Sequence, residues 1–339
     1  MARDPTLHDV RYASHQCRAA LLRAAGCEIS YEAILVLSGH ATSFAYHPQR
    51  YGALFVTPDP SDVTDRRIGN ACGYTWERLG QADGGLAAWE IVRASIDAHR
   101  PLQGVWIDDI VIGGYDDPVD GARRIWVAGG WDVPGWWDWE RFDKWSAEFG
   151  QLERVGEPCA TIEPLESLRE VVACMVRCAD DDPRKRVPAL AHASYGLEGV
   201  LMFAEDVGNM AHEPDYWYPG WMGGYCVYKQ IEGRGIAAAY LEASASLGGP
   251  TPRVHLMDAA AHFRQARDAW RAWGSALGAE TGAADPEELR VRWWKPACRR
   301  DAALRIREAY RWEAEAARSL RLALASMGPN PGSVGPRRR

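Results

Sequence analysis

The amino-acid sequence predicts an α+β protein with two domains. Its 339 residues exceed the length that one hydrophobic core usually serves, and a hydrophobic content of 47% suffices for two cores. The first half mixes helical patterns with patterns typical of antiparallel strands, whereas nearly every periodic segment of the second half is helical. Pro158 and Pro164 mark this change. We therefore expect domains at residues 1–158 and 159–328, followed by a disordered tail at residues 329–339.

Two helices are predicted near the start of the chain. Residues 17–26 are rich in strong helix formers and end in a glycine, which suits the left-handed position after a helix. Cys17 is expected at the N-terminus of this helix. Ser30 is suited to cap a second short helix that ends before Gly39, and a polar loop with His40 follows.

Antiparallel strands are predicted in the middle of the chain, after an amphipathic helix over residues 84–99. Residues 105–107 and 110–112 have the composition of strands, residues 113–118 that of a turn, and residues 124–127 that of a returning strand. Helices followed by such strands indicate an α+β arrangement for this half.

The second half carries amphipathic helices whose apolar residues recur at spacings of three and four. They cover residues 165–178, 254–277 and 306–324. Helices of this kind bury their apolar faces against one another, so this half is predicted to be a helical bundle. Glu313 lies on the apolar stripe of the last helix, where an ionised carboxylate needs a partner, and we expect a buried arginine to pair with it.

Composition and charge exclude several classes of partner. The net charge of -7 and the isoelectric point near 5.8 come with no long basic run, which argues against nucleic acid and anionic membranes. The first residues are polar, and no apolar run reaches 18 residues, so we expect a cytoplasmic protein. The eight cysteines are scattered and expected to be reduced. No motif for a nucleotide or another cofactor occurs, and the oligomeric state, homo-oligomers included, stays open.

The residues around Cys17 resemble a known family. The run SHQCRAALLRAAGCEISYE at 14–32, then Leu37-Ser38-Gly39 and Phe44, resembles the papain-like cysteine peptidases that process bacteriocin leader peptides. It is more similar still to the butirosin-H-like acyltransferase group, whose strand ending in Gly-Tyr-Asp is matched by Gly114-Tyr115-Asp116. The helical second half, with RGIAAAYL at 234–241, resembles the helical domain attached in those relatives. The resemblance implies a papain-like domain followed by an α-helical bundle domain.

The resemblance also implies a reaction. Cys17 would be the nucleophile, because a helix N-terminus favours the reactive thiolate form of cysteine. The side chain of Gln16 and the backbone amides beside it would stabilise the oxyanion. The implied activity is acyl transfer, or cleavage of a thioester or amide, in bacterial specialised metabolism. The substrate would be a small molecule or an acyl group on a carrier protein.

The proton acceptor for such a reaction is the open question. In the group that the chain resembles, it is a histidine at the start of the strand ending in Gly-Tyr-Asp. Here Asp108 and Asp109 hold those positions, and aspartate is a weak base at neutral pH. His40 or His15 offers an imidazole from elsewhere, which Asp109 or Asp116 would orient. The alternative hypothesis is a catalytically inactive papain-like protein that binds a small molecule or peptide.

Clustered aromatic residues indicate where a ligand would bind. The chain has sixteen tryptophans, and two groups stand close in sequence. These groups are Trp136 with Trp137, and Trp217 with Tyr218 and Trp221. They are candidates for the walls of an aromatic cleft, and packing between the two domains is the alternative.

One further pair of residues suggests a metal site. Cys174 and Cys178 are one helical turn apart, as two ligands of a soft metal ion would be. No second pair lies nearby in the sequence, so packing in the helical core is the expectation and no metal site is predicted.

Overall fold

The structure is a computed structural model. It describes residues 13–47, 52–53, 59–81, 85–105, 109–119, 121–129, 134–149, 151–180, 193–209, 227–277, 291–292 and 295–328. The chain divides into two compact units, of which unit 1 comprises Met1–Ile34 and Ile68–Thr161, and unit 2 comprises Leu35–Arg67 and Ile162–Arg339. The units differ from the predicted domains because Leu35–Arg67 belong to unit 2. The tail at residues 329–339 lies outside the described residues.

The secondary structure is α+β, as the sequence predicts. The helices are α1 (Ala13–Ala24), α2 (Tyr31–Leu37), α3 (Ser61–Cys72), α4 (Gly85–Asp97), α5 (Trp139–Phe149), α6 (Pro164–Asp180), α7 (Gly196–Asn209), α8 (Val227–Ser244), α9 (Pro250–Leu277) and α10 (Pro296–Ser326), with a 3-10 helix at Ala245–Gly248. The strands are β1 (Ala45–His47), β2 (Gly52–Ala53), β3 (Tyr74–Gln81), β4 (Leu102–Val105), β5 (Ile110–Asp116), β6 (Arg124–Gly129), β7 (Gly135–Asp138), β8 (Gln151–Pro158) and β9 (Ser194–Tyr195).

Both predicted helix caps near the N-terminus are confirmed. Gly26 adopts a φ of +94°, the left-handed conformation that glycine tolerates best, and stops α1. The Ser30 hydroxyl accepts a hydrogen bond of 3.2 Å from the Ala33 amide in the first turn of α2. These two short-range signals determine where the chain turns after α1.

Unit 1 is built on a six-stranded antiparallel sheet with the strand order β3-β8-β4-β5-β6-β7. One face packs against α4 and α5 and forms a hydrophobic core. Its buried members are Ala88, Trp89, Val92, Leu102, Ile110, Ile112, Ile125, Val127, Trp137, Phe142 and Leu152. Because side chains alternate along a strand, the residues between these apolar ones lie on the other face, which α1 contacts.

Unit 2 is mainly helical. Helix α10 contacts α9, α7 and α6 along its length, and α9 also contacts α8. Their shared core contains Phe44, Tyr46, Val200, Phe203, Ala204, Val207, Ile231, Ala269, Trp270, Trp273, Ala302, Ala303, Ile306 and Ala309. A small sheet with the order β2-β1-β9, which the sequence did not predict, adds Tyr46 to this core, and Phe44 directly precedes β1. In the part of the chain that the structure covers, no helix has an apolar stretch long enough to cross a bilayer.

Candidate active site beneath helix α1

Cys17 lies one turn further into its helix than the sequence predicts. Helix α1 begins at Ala13, so Cys17 is its fifth residue rather than its first. The favourable effect of a helix N-terminus on a negative charge falls off within the first turn. The expectation that Cys17 lies at the helix N-terminus and is activated there is therefore wrong.

The Cys17 thiol is sealed inside unit 1. Its side chain is 0% exposed, and its Sγ donates a hydrogen bond of 3.4 Å to the backbone oxygen of Asp109. Burial raises the pKa of the Cys17 thiol well above its ordinary value, and the negative charge of Asp109 raises it further. The thiol is consequently protonated at neutral pH, which is the unreactive form.

Asp109 stands directly before β5 and is itself buried. Its Oδ2 accepts a hydrogen bond of 2.8 Å from Nε2 of Gln103, a fully buried residue of β4. Among the described residues, Oε1 of Gln103 has no hydrogen-bond partner. Asp109 is thus bonded to Gln103 through its carboxylate and to the Cys17 thiol through its backbone oxygen, and all three residues are buried. Sequence reasoning missed Gln103, although a glutamine within a short apolar strand was a usable signal.

Gly129, at the end of β6, lies close to the Cys17 thiol. It is paired with Ile110 of β5 and has a φ of +100°. A β-carbon at this position would lie 3.0 Å from the Asp109 carbonyl oxygen and 3.2 Å from Cys17 Sγ. Only glycine fits this backbone conformation together with so close an approach.

A cluster of charges continues the polar face of the sheet beside Gln103. Glu153 lies opposite Gln103 in the β4–β8 register and is buried. It accepts hydrogen bonds from Trp76 Nε1 at 2.7 Å and Arg18 Nη2 at 3.2 Å, and its Oε1 is 3.3 Å from Arg78 Nε. Two guanidinium groups therefore compensate the buried carboxylate.

The imidazoles of the two candidate histidines each lie within hydrogen-bond distance of a serine that is near in sequence. His15 precedes Cys17 by two residues, a spacing at which helical side chains do not face each other, and its Nδ1 is 3.0 Å from Ser14 Oγ. His40 belongs to unit 2, and its Nδ1 is 3.0 Å from Ser38 Oγ. The described hydrogen-bond partner of the Cys17 thiol is the Asp109 carbonyl oxygen.

Three further predicted catalytic residues have the following positions. Gln16 precedes Cys17 in α1 and is half-buried. Asp116 lies at the far end of β5, roughly 20 Å from Asp109 at the usual rise per residue. There it forms an exposed ion pair with Arg124, so the expectation that Asp116 orients a base near Cys17 is wrong. Asp108 lies outside the described residues.

The predicted aromatic wall at β7 is not formed. Trp136 and Trp137 are consecutive in β7, so their side chains point to opposite faces. Trp136 is 50% exposed, and the Arg124 guanidinium lies 5.4 Å from its ring centroid. Trp137 is buried in the core of unit 1. The other predicted wall residues, Trp217, Tyr218 and Trp221, lie outside the described residues.

The cysteine pair of α6 lies in the core of unit 2, as the sequence predicts. Cys174 and Cys178 are both buried, and Cys178 Sγ donates a hydrogen bond of 3.4 Å to the Gly39 carbonyl oxygen. A hydrogen bond from Cys174 lowers the pKa of Cys178 despite its burial. Within the described ranges, no three side chains of ligand type are grouped so that they would hold a metal ion.

The site beneath α1 holds a neutral thiol that donates a hydrogen bond to a backbone oxygen, and burial and the charge of Asp109 both disfavour the thiolate. A papain-like reaction needs a base that removes the thiol proton and then carries a positive charge beside the thiolate. Comparisons with known proteins found no matching protein-family model and no matching curated protein.

Proposed function

We propose that unit 1 is a papain-like domain that has lost thiol catalysis, and that the protein acts by binding a small molecule or a peptide. The observation that carries this proposal is the contact between Cys17 and Asp109. The thiol is fully buried and donates a hydrogen bond to a backbone oxygen, and the negative charge of Asp109 disfavours its ionisation. A thiol in this setting is a structural hydrogen-bond donor.

The fold of unit 1 supports the papain-like assignment. Helix α1 packs on an antiparallel sheet and presents Cys17 to the start of β5. Strand β5 ends in Gly114-Tyr115-Asp116, the sequence that the butirosin-H-like group has in its corresponding strand. If this correspondence holds, Asp108 and Asp109 stand at the positions where that group carries its histidine.

The charge of Asp109 supports the proposal that Cys17 is not catalytic. Two unit charges about 4 Å apart interact by roughly 4 kcal/mol at the effective dielectric constant of a protein. An imidazolium beside Cys17 would stabilise the thiolate by a contribution of that order, whereas the Asp109 carboxylate destabilises it. Replacing histidine by aspartate therefore reverses the sign of the interaction that creates a reactive thiolate.

An exposed tryptophan of β7 supports a binding role. Trp136 is half exposed, and Arg124 stacks over its ring. Tryptophan and arginine are the residues that most often anchor protein interfaces. We therefore favour a peptide over a small molecule as the ligand.

Acyl transfer or thioester cleavage through Cys17 is the second candidate function. The observation that favours it is that the Cys17 thiol contacts Asp109 through its backbone oxygen, while the carboxylate of the same residue accepts a hydrogen bond from Gln103. In that reaction Asp109 would take the thiol proton, and the acyl group would come from a small molecule or an acyl carrier protein.

Alkylation of the native protein separates the two functions. Iodoacetamide at pH 7, followed by peptide mass spectrometry, gives a rate for each cysteine. We expect Cys17 to react more slowly than the half-buried Cys298, and to react fully only after unfolding in urea. Faster reaction at Cys17, together with turnover of an acyl thioester that Cys17→Ala abolishes, would overturn the proposal.

Two substitutions at Asp109 test whether the lack of an imidazole keeps the Cys17 thiol unreactive. Asp109→His places an imidazole beside Cys17, whereas Asp109→Asn only removes the charge. We expect the histidine variant to raise the alkylation rate of Cys17 at least tenfold above that of the asparagine variant. Equal rates would show that the missing imidazole is not what keeps this thiol unreactive.

The binding role has its own test. A peptide array probed with the full-length protein is expected to yield binders whose signal falls in Trp136→Ala but not in Leu304→Ala, which removes an exposed apolar side chain of α10. Binding that is absent, or unaffected by Trp136→Ala, contradicts a peptide site at β7.

A further inference from the structure

The sheet of unit 1 has two edge strands, β3 and β7, which stand at the two ends of its strand order. An edge strand carries a row of backbone N–H and C=O groups that its own sheet leaves unpaired, and an extended segment of another chain can pair with that row. Natural sheets block such edges with bulges and charged side chains where no partner is intended. The two edges of this sheet differ in this respect.

Strand β3 is a blocked edge. Its register with β8 shifts twice, between Tyr74 and Trp76 and between Arg78 and Gln81. Such irregularities bend and twist a strand, so that a straight segment cannot follow it along its length. The exposed side chain of Arg78 adds a charge to this edge. Strand β3 is therefore poorly suited to pair with a further strand.

Strand β7 is a regular edge. It pairs with β6 without a register shift, from Val127 opposite Gly135 to Arg124 opposite Asp138. On its outer side, no strand within the described part of the chain pairs with it. Because backbone groups alternate in direction along a strand, every second residue of β7 points its N–H and C=O groups to this outer side. These groups are available to an added strand.

The side chains around β7 indicate which kind of segment fits this edge. Trp136 is half exposed and offers an apolar surface that a bound segment would cover. Asp138, the last residue of β7, and Glu140, in the first turn of α5, are exposed carboxylates without an ion-pair partner among the described residues. Within the sheet, Asp138 lies opposite an arginine, Arg124 of β6. The charge of this edge therefore complements a basic segment.

We infer that β7 binds an extended basic peptide by adding it to the sheet of unit 1 as an antiparallel strand. This inference rests on the proposed function, since it specifies the mode and the charge of the peptide binding proposed at Trp136. The peptide backbone bonds to the outer row of β7, a basic side chain lies beside Asp138, and a neighbouring side chain covers Trp136. Backbone pairing supplies affinity, and the side chains select the peptide.

The probe for this inference is a fluorescein-labelled peptide with the sequence of residues 122–129, Ala-Arg-Arg-Ile-Trp-Val-Ala-Gly. It copies β6, which forms an antiparallel strand beside β7 and places an arginine opposite Asp138. Fluorescence anisotropy measures its binding to the full-length protein. We expect saturable binding that weakens in Trp136→Ala. A probe that does not bind overturns the inference.

Two N-methylated versions of the probe test backbone pairing. One carries N-methyl groups on the residues that copy positions 124 and 126, and the other on those that copy positions 125 and 127. Only one of these two sets of amides faces β7 in an added strand. We expect that version to bind roughly tenfold more weakly than the unmodified probe, and the other to bind within about twofold of it. Equal affinities of the two versions overturn strand addition.

A charge variant tests the basic character of the peptide. We expect Asp138→Asn to weaken binding of the unmodified probe by roughly threefold to tenfold at low salt, and by less at high salt. The matched control Asp268→Asn, which removes an exposed carboxylate of α9, should leave binding unchanged. Equal affinities of the two variants for the probe overturn the charge complementarity.

Failure of this inference is distinguishable from failure of the proposed function. Array peptides that require Trp136 but bind equally well with either methylation pattern overturn strand addition and leave the peptide-binding role intact, whereas a protein that binds no peptide overturns both. Light scattering on the protein alone tests a second copy of the chain as the competing occupant of β7. A dimer that dissociates in Trp136→Ala overturns the inference.

Discussion

Arg234 and Glu313 form a two-point ion pair in the interior of unit 2. Arg234 Nε donates to Glu313 Oε1 at 3.0 Å, and Nη2 donates to Oε2 at 2.8 Å. Trp270 Nε1 donates a further hydrogen bond of 2.9 Å to Oε1. Arg234 Nη1 reaches the carbonyl oxygens of Ala41 and Ser43 at 3.3 and 3.4 Å. The prediction that Glu313 pairs with a buried arginine is confirmed.

This pair predicts a strong coupling in stability. Arg234→Met leaves the Glu313 carboxylate buried without its cation, which costs about 3 to 5 kcal/mol of unfolding free energy. The double variant Arg234→Met with Glu313→Leu removes both charges and should recover most of that loss. Urea unfolding followed by tryptophan fluorescence measures both values. A double variant no more stable than the single one would contradict the pairing.

Asp59 predicts a loss of stability in acid. Burial tends to raise its pKa, but the hydrogen bond from Arg177 and the charges of Arg67 and Arg177 lower it to about 2, from 3.8. The folded state therefore binds this proton more weakly than the unfolded state. The resulting stabilisation, about 2 kcal/mol, is fully present above pH 4 and disappears as the pH falls towards 2.

The measurement compares urea unfolding of the wild type and Asp59→Asn between pH 7 and pH 2.5. The variant should be less stable at pH 7, and the difference should shrink as the solution becomes acidic. A difference that is constant over this range would assign the effect of the substitution to something other than ionisation.

Gly129 predicts a local steric effect on the buried thiol. In Gly129→Ala, the new methyl group meets the Asp109 carbonyl and Cys17 Sγ, and the residue must hold a φ of +100°. We expect a loss of about 2 to 4 kcal/mol of unfolding free energy. Gly114→Ala is the matched control, because its β-carbon would meet only an ordinary contact of 3.6 Å with Trp126. Equal losses in the two variants would contradict the role of Gly129.

The two tryptophans of β7 predict opposite sensitivities. Trp137→Ala empties a space in the core of unit 1 and should cost about 3 to 5 kcal/mol. Trp136→Ala removes a half-exposed ring and should change stability by no more than about 0.5 kcal/mol. Thermal unfolding by circular dichroism compares the two. Similar losses would contradict their placement on opposite faces.

Charged strands explain why part of the sheet escaped prediction. The apolar start of β5 and most of β6 were predicted, whereas the turn predicted at residues 113–118 is wrong because β5 continues to Asp116. Strands β3 and β8 contain glutamates and arginines. In the sheet, Glu77 and Arg154 are opposite each other, and Arg154 Nε donates a hydrogen bond of 2.8 Å to Glu77. A pairing between residues so far apart leaves no periodic signal in either strand.

The sequence by itself determined what depends on near neighbours. The caps at Gly26 and Ser30, the amphipathic helices of unit 2 and the need of Glu313 for a cation all follow from spacing and residue type. Each is a short-range effect or a requirement that any fold must satisfy.

Only the tertiary structure decided which distant groups meet. It brought the Gln103 side chain to the Asp109 carboxylate and the Cys17 thiol to the Asp109 backbone oxygen. The reactivity of a thiol depends on burial and on charges within a few ångströms, and chain folding sets both. The amino-acid sequence gives the positions of the cysteines, and the packing around each sulfur decides whether that thiol is inert or reactive.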